Sequence, residues 1–370
     1  MHQDREIIFL SERDHGDPLC RFYFYSLASQ LSIRGKAFRW VSPKDDLNVL
    51  DSNAEYVINF FYKDIDAINA IKHLNGRQIT SISFCSDVEG YAEYQLAYEV
   101  ADIFVCPSLM HQNILRYVYD LPIYVLREAI DPILKQVSDR KFTAASTNLV
   151  WFGFSESYLR SMVNLEPIII EALRSKWINS FNVISSQSLR ESLPTEFNFI
   201  EYGVEKFEDQ IQAFDFAILS HVPLDMHLNT LMKSPNKAIS AIMGGLIPIC
   251  SDTPNYRLIM DSLQLGAYLF HSQGDLEGIL KDLSGRLTHE DVGSEWRHAN
   301  EIIQSLYSAE SQYDEYFEIL ERILAQKNEL KIESAKEVRL YSPLGADIKL
   351  RFYLRQQFRK LQSKFGLIKP

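Results

Sequence analysis

Short apolar runs alternate with helix-periodic stretches along most of this chain. Glu6–Leu10, Phe38–Val41, Tyr56–Phe61, Gln78–Cys85, Ile103–Pro107 and Ile123–Val125 read as strands, each a brief run rich in apolar and β-branched residues bounded by polar or turn-forming ones. Between them, Leu19–Arg34, Asp64–Leu74, Tyr91–Ala101 and Leu109–Tyr117 read as helices. Asp131–Thr147 is polar and loses the pattern, which marks an inter-domain linker. The alternation then restarts. Strands are expected at Leu149–Phe152, Phe181–Ser185, Phe197–Tyr202, Phe216–Leu219 and Ala267–Phe270. Helices are expected at Tyr158–Lys176, Lys206–Ala213, Tyr256–Leu263 and Leu276–Leu283, with a long one over Glu295–Gln326. Such alternation predicts parallel sheets covered on both faces. The expected fold class is therefore α/β: two Rossmann-like, doubly wound domains with a deep cleft between them and a C-terminal amphipathic helix. The boundaries are 1–140, 148–328 and a basic tail over 332–370. Ligands in such sheets bind at the carboxyl ends of the strands.

One segment is more informative than the rest. Ser234 is a good N-cap, Pro235 suits the first helical position, and Ala238, Ile239, Ala241, Ile242 and Met243 make a helix body that is buried against a sheet. Gly244 or Gly245 supplies a left-handed stop. Leu246–Cys250 is then an interior strand, closed by the polar loop Ser251-Asp252-Thr253-Pro254. Lys237 lies in the first helical turn and Lys233 just before it. The positive end of a helix disfavours each by roughly 0.3–1 kcal/mol. A bound anion reverses that sign, since N–H groups and ammonium groups then point at it. The competing reading leaves both lysines in water.

Length and composition narrow the picture. A chain of 370 residues predicts about two domains. At 46% hydrophobic and 24% charged it is an ordinary globular chain, and its net charge of -11 argues against nucleic acid as a partner. Cys20, Cys85, Cys106 and Cys250 are far apart and form no CxxC pair, so a reduced, cytoplasmic compartment is expected. Ile7-Ile8-Phe9-Leu10 is too short for a signal sequence, and no run is long enough to cross a bilayer. His221, Asp225 and His227 lack metal-ligand spacing, so no metal site is assigned. Near the C-terminus, Leu350, Leu354, Phe358, Leu361 and Phe365 recur at helical spacing among lysines and arginines, with no acid after Asp347. Residues 349–365 are expected either to lie on an anionic membrane surface, peripheral on its inner face, or to pack on the N-terminal domain with the basic face in water.

The order of these parts resembles the GT-B-fold glycosyltransferases, of the family 4-like or group 1-like kind. The resemblance rests on Phe214-Asp-Phe-Ala-Ile-Leu-Ser220, Asn229, Lys233-Ser-Pro-Asn-Lys237, Gly244-Gly-Leu-Ile-Pro-Ile-Cys-Ser251 and Pro254-Asn-Tyr-Arg257 in the second half. In the first half it rests on Arg21, Leu27 and Leu31-Ser-Ile-Arg-Gly35, on Ala101-Asp-Ile-Phe-Val-Cys-Pro-Ser108, and on Ala129-Ile-Asp131. It covers most of residues 5–325. The sequence also departs from the family. Met232 and Ser240 occupy the positions where many retaining members carry paired glutamates, the first domain lacks a Gly-Gly loop, and Arg160 is a poor stand-in for the usual Arg-then-Lys pair.

What the resemblance implies is transfer of a sugar from a nucleotide-sugar donor to a saccharide or lipid-linked acceptor, in surface polysaccharide or glycolipid synthesis, without metal or other cofactor. Lys233, Ser234, Asn236 and Lys237 are then expected to hold the donor diphosphate. Ser251, Asn255 and Tyr256 are expected to contact donor sugar or phosphate, or else to serve loop and capping chemistry. Asp87, at the end of the fourth strand, is the candidate base for an acceptor hydroxyl. Asp14, His15 and Arg21 are expected on the acceptor side. The departures motivate two further readings: a glycosyltransferase-like module that has lost catalysis and acts in binding or assembly, and a sugar-nucleotide epimerase on the same fold.

Overall fold

The computed structural model describes residues 5–45, 50, 54–74, 78–86, 91–134, 137, 139–142, 147–221, 232–289 and 292–333. Asp87, Asp225, His227, Asn229 and the basic segment 349–365 lie outside the described residues.

Two six-stranded sheets, wholly parallel, form the two halves. The first contains β1 (Glu6–Leu10), β2 (Phe38–Val41), β3 (Tyr56–Phe61), β4 (Ile79–Phe84), β5 (Ile103–Cys106) and β6 (Ile123–Val125), in the order β2-β1-β3-β4-β5-β6. The second contains β7 (Asn148–Phe152), β8 (Ser180–Ser185), β9 (Asn198–Glu201), β10 (Phe216–Leu219), β11 (Ile247–Ser251) and β12 (Leu269–Phe270), in the order β12-β11-β10-β7-β8-β9. That second order is the doubly wound one, and it reverses direction between β7 and β10. A crevice opens at the carboxyl ends of the strands where the winding reverses, which is where ligands bind in such sheets. In the first sheet the reversal falls between β1 and β3.

The helices follow the expected pattern with informative differences. They are α1 (Ser26–Ile33), α2 (Ile65–Lys72), α3 (Tyr91–Tyr98), α4 (Leu109–Arg116), α5 (Ser155–Ser161), α6 (Glu166–Arg174), α7 (Phe207–Gln212), α8 (Asn236–Met243), α9 (Pro254–Ser262), α10 (Gln273–His289), α11 (Val292–Tyr307) and α12 (Ala309–Glu333). The single helix expected over Leu19–Arg34 begins as a wider π-type turn, Cys20–Tyr25, before α1. That turn places four consecutive aromatic residues; Phe24 stacks on Phe61 at 4.3 Å and Tyr25 packs on Trp40 at 4.8 Å. The helix expected over Tyr158–Lys176 breaks at Val163–Leu165, and Pro167, which lacks an N–H, sits in the opening turn of α6. The strand expected over Ala267–Phe270 is reduced to two residues after a tight turn at Gly266–Tyr268.

The long helix expected over Glu295–Gln326 divides at Ser308, whose hydroxyl accepts the Ser311 N–H at 3.1 Å and starts a new helix. The division matters. In α11, Trp296 is buried in the second core and donates its indole N–H to Ile242 O at 2.8 Å. In α12, Tyr313, Tyr316, Ile319, Leu320 and Ile323 belong instead to the core on one face of the first sheet. The Tyr316 hydroxyl donates to Asn59 Oδ1 on β3 at 2.9 Å. The chain therefore returns to its first half to finish it, although the sequence reading placed 148–328 in the second domain.

Candidate functional site

The site is built on the carboxyl ends of β7, β10 and β11 and the first turn of α8. Lys237 is the second residue of α8, and its half-buried ammonium reaches back over β7. Nζ stands 4.7 Å from the centre of the Trp151 ring. The residue that follows β7 is Gly153, where a Cβ would lie 2.5 Å from Lys237 Nζ and 3.0 Å from the Trp151 ring. Only a glycine lets the ammonium lie there. Among the described residues Lys237 has no carboxylate and no hydrogen-bond partner. Burial, with the neighbouring Lys233 charge adding to it, pushes its pKa down to about 7.

His221 follows β10, the strand beside β7, near enough for the Lys237 and Lys233 charges to act on its ring. Its backbone N–H donates to Ser251 Oγ, at the end of β11, at 2.9 Å. Its ring stacks on Tyr256 of α9 at 5.2 Å with 20° between the planes. Burial, then Lys237, then Lys233 push its pKa down to about 3, so the imidazole is neutral. Ser251 and Tyr256 are fully buried, with Tyr256 pushed well above its ordinary pKa by burial. Asn255 donates to Lys233 O at 2.9 Å and so fixes the exposed Lys233 segment at the head of α8.

The start of α8 differs from expectation in one respect. The helix begins at Asn236 with Pro235 as its cap residue, one position later than predicted. The Ser234 hydroxyl is engaged with the carboxylate of Glu128, a buried residue of the first half, and lies 2.9 Å from Asn236 Oδ1. The Asn236 N–H turns to Ser234 Oγ at 3.4 Å, and the Ala238 and Ile239 N–H groups turn back to Pro235 O. Much of the first turn is thus satisfied internally, and the side chains of Lys237, Lys233 and Asn236 carry most of its capacity to hold an anion. Gly245, at φ 86°, supplies the left-handed stop.

The expected acceptor-side residues do not gather in one place. Arg21 is buried at 2% exposure and pairs bidentately with Asp131, at 2.8 and 2.9 Å. Its remaining donors go to the carbonyls of His15 and Gly16 and toward the Tyr202 hydroxyl after β9. Burial works against the guanidinium charge, and the carboxylate more than offsets it, so the pKa is raised. Arg21 therefore ties the loop after β1 to the inter-domain segment and is not free to bind acceptor. Asp14 accepts the Gly16 N–H at 2.8 Å in a tight turn, and His15 packs edge-on to Tyr25 at 5.2 Å.

Sequence reasoning missed Gly153, and it weighed His221 only as a metal ligand. It also missed Asp64, which lies at the reversal point of the first sheet. It caps α2 through the Ala67 N–H, accepts from Ser11 Oγ at 3.2 Å, and has its pKa raised by burial. A glycine directly after an apolar strand was the available signal for Gly153. A separate crevice of ≈ 620 Å³ runs between α4 and α9 beside this site; Ser108, Gln112, Arg116, Pro235, Asn255 and Ile259 line part of it.

The architecture has solved counterparts. No family profile matches the sequence, and no curated protein is similar to it in sequence. An α-glucosyltransferase in complex with UDP and a 13-mer DNA aligns at 12% identity and TM-score 0.59, over 85% of this chain and 99% of that one. The lipopolysaccharide outer core galactosyltransferase WaaB aligns at 12% identity and TM-score 0.53, over 87% and 99%. The pneumococcal O-GlcNAc transferase GtfA, in complex with UDP and GlcNAc, aligns at 12% identity and TM-score 0.52, over 73% of this chain. The chain spans 57% of the length of GtfA and 54% of that of TarM. Two parallel sheets in these orders, matched across such enzymes, define the GT-B fold, and this chain has it.

Proposed function

We propose that the protein is a glycosyltransferase that takes a sugar from a nucleotide-sugar donor and passes it to a saccharide or lipid-linked acceptor. The observation that carries this reading is Lys237: a half-buried ammonium without a carboxylate among the described residues, seated on a glycine at the reversal point of the second sheet. Withdrawing a cation from water without a partner is costly, and an anion arriving there offsets that cost. Glycosyl transfer expels a nucleoside diphosphate, whose charge grows as the glycosidic bond breaks. Fixed positive groups lower that barrier without reorganising. Lys237, Lys233 and Asn236 are the groups assigned to this task. Complexes with UDP among the structures of similar fold support the choice of anion. Asp87 remains the proposed base for the acceptor hydroxyl, and residues 349–365 the proposed contact with an anionic membrane.

A second reading has one observation in its favour. Met232 and Ser240, at the places of the paired glutamates, are buried at 2% and 8% exposure and offer no carboxylate. A binding module would then retain the diphosphate site without turnover.

The first experiment is a thermal-shift screen with UDP-, GDP-, ADP- and CMP-sugars, since a ligand of the native state raises its melting point. The Lys237→Met variant is then titrated by calorimetry with the nucleotide found. Affinity is expected to fall at least about tenfold, the loss of one charge-assisted bond, with the cooperative unfolding transition kept. Affinity equal to that of the wild type rejects the assignment. Binding without hydrolysis or transfer for every donor selects the module.

A further inference from the structure

His221 has no part in the reading above, yet its surroundings resemble half of a binding contact. We propose that His221 is a further diphosphate-binding residue, donating from Nε2–H to the same anionic group that Lys237 neutralises; this rests on the proposed nucleotide-sugar site.

Three observations converge. The ring is held rather than free: the backbone N–H is tied to Ser251 Oγ at 2.9 Å, and the ring lies nearly parallel to that of the buried Tyr256 at 5.2 Å. Its Nε2 is nonetheless buried and has no hydrogen-bond partner among the described residues. An interior nitrogen in that condition carries the full penalty of lost hydration. Finally, the two charges that act on the ring are both cations, Lys237 and Lys233. Among the described residues, no carboxylate acts on it.

A neutral imidazole presents one N–H and one lone pair. We take the tautomer with the proton on Nε2, the one that can donate to an anion. The site then offers a buried N–H and an ammonium that is unpaired among the described residues. A single anionic oxygen between them satisfies both. Ser251 and Tyr256 are positioning residues in this account: they aim the ring and do not touch the ligand.

A neutral donor also fits the electrostatics better than a third cation. Lys237 is already depressed by Lys233, and another positive charge would depress it further. The imidazole adds a hydrogen bond without adding to that repulsion in the empty site.

The test uses the full chain with inorganic pyrophosphate and UDP as probes and uridine as the control, by calorimetry at pH 6.5 to 8.5. His221→Phe keeps the stack on Tyr256 and removes the donor. His221→Gln returns an amide N–H near the position of Nε2. His221→Phe is expected to weaken pyrophosphate and UDP about tenfold. Uridine binding should be unchanged, and His221→Gln should recover most of the loss. Melting curves of both variants establish that each is folded. Wild type that binds the probes, loses them on Lys237→Met and keeps them on His221→Phe overturns the His221 assignment alone. His221→Gln no better than His221→Phe overturns it as well. Wild type that binds neither probe overturns the site and this inference together.

Discussion

Lys237 is the residue whose chemistry most constrains the protein. Its pKa of about 7, down from an ordinary 10.5, sets two pH dependences. Between pH 7 and 10.5 the unfolded chain binds more protons at this residue than the folded one, so stability of the empty protein rises with pH across that window. A bound pyrophosphate neutralises Lys237 and Lys233 and restores the proton. Binding above pH 7 therefore takes up a proton, and affinity falls with rising pH by up to about tenfold per unit. Among the described residues, the groups that face this ammonium are Lys233, the neutral His221 ring and the Trp151 ring, and none of them is acidic. Melting curves from pH 6.5 to 9.5, with and without pyrophosphate, should show stabilisation by the ligand shrinking as pH rises. Lys237→Met should flatten that slope, and an identical slope in both proteins sinks the account. Lys237 was legible in the sequence because a lysine at a helix start is locally anomalous. Gly153 was not, since its reason is an ammonium from a distant helix laid across it. His221 was visible only as a poor metal ligand, because a stack and an unsatisfied nitrogen are tertiary facts.

At the scale of elements, the unit from α8 to β11 was legible to within a residue, because apolar body, glycine stop and strand each have a local cause; the expected cap, Ser234, is instead drawn to Glu128 of the first half. Elements shaped by distant partners were not. The π-type turn before α1 holds Arg21 against a carboxylate 110 residues away in sequence. Arg21 and Asp131 were each singled out as separate parts of a resemblance; the structure shows that they pair with each other. The pair lies at 2% and 5% side-chain exposure, so solvent screens it little. Removing one member leaves the other charge buried and alone. Asp131→Ala is expected to lower stability by about 3–5 kcal/mol, read as a shift of the urea midpoint. Replacing both, as Arg21→Met with Asp131→Leu, should recover much of that loss. Equal destabilisation of the single and double variants would show that packing, and not charge burial, holds this joint.

At the scale of the molecule, the two halves are not independent lengths of chain. Alternation of strands and helices sufficed to expect two parallel sheets, since both faces of each need covering. It did not show which half the last helix covers: α11 packs on the second core and α12 on the first, and the change comes at the break at Ser308. The face of the first sheet that carries Phe9, Phe61 and Phe84 is closed by Phe24 of the π-type turn and by Tyr313, Tyr316, Ile319, Leu320 and Ile323 of α12, all buried. Each such side chain contributes roughly 1.5–3 kcal/mol when removed from water, which for five of them approaches the whole stability of a domain of this size. Residues 1–142 alone should therefore fail to fold cooperatively and should bind a hydrophobic dye. The same fragment joined to residues 309–333 by a flexible glycine–serine linker should regain a sharp melting transition. Tyr316→Phe in that fusion removes the bond to Asn59 and should cost about 1 kcal/mol without abolishing the transition. A sharp transition in the short fragment, unchanged when the helix is restored, would refute the claim that the first half is completed by the end of the chain.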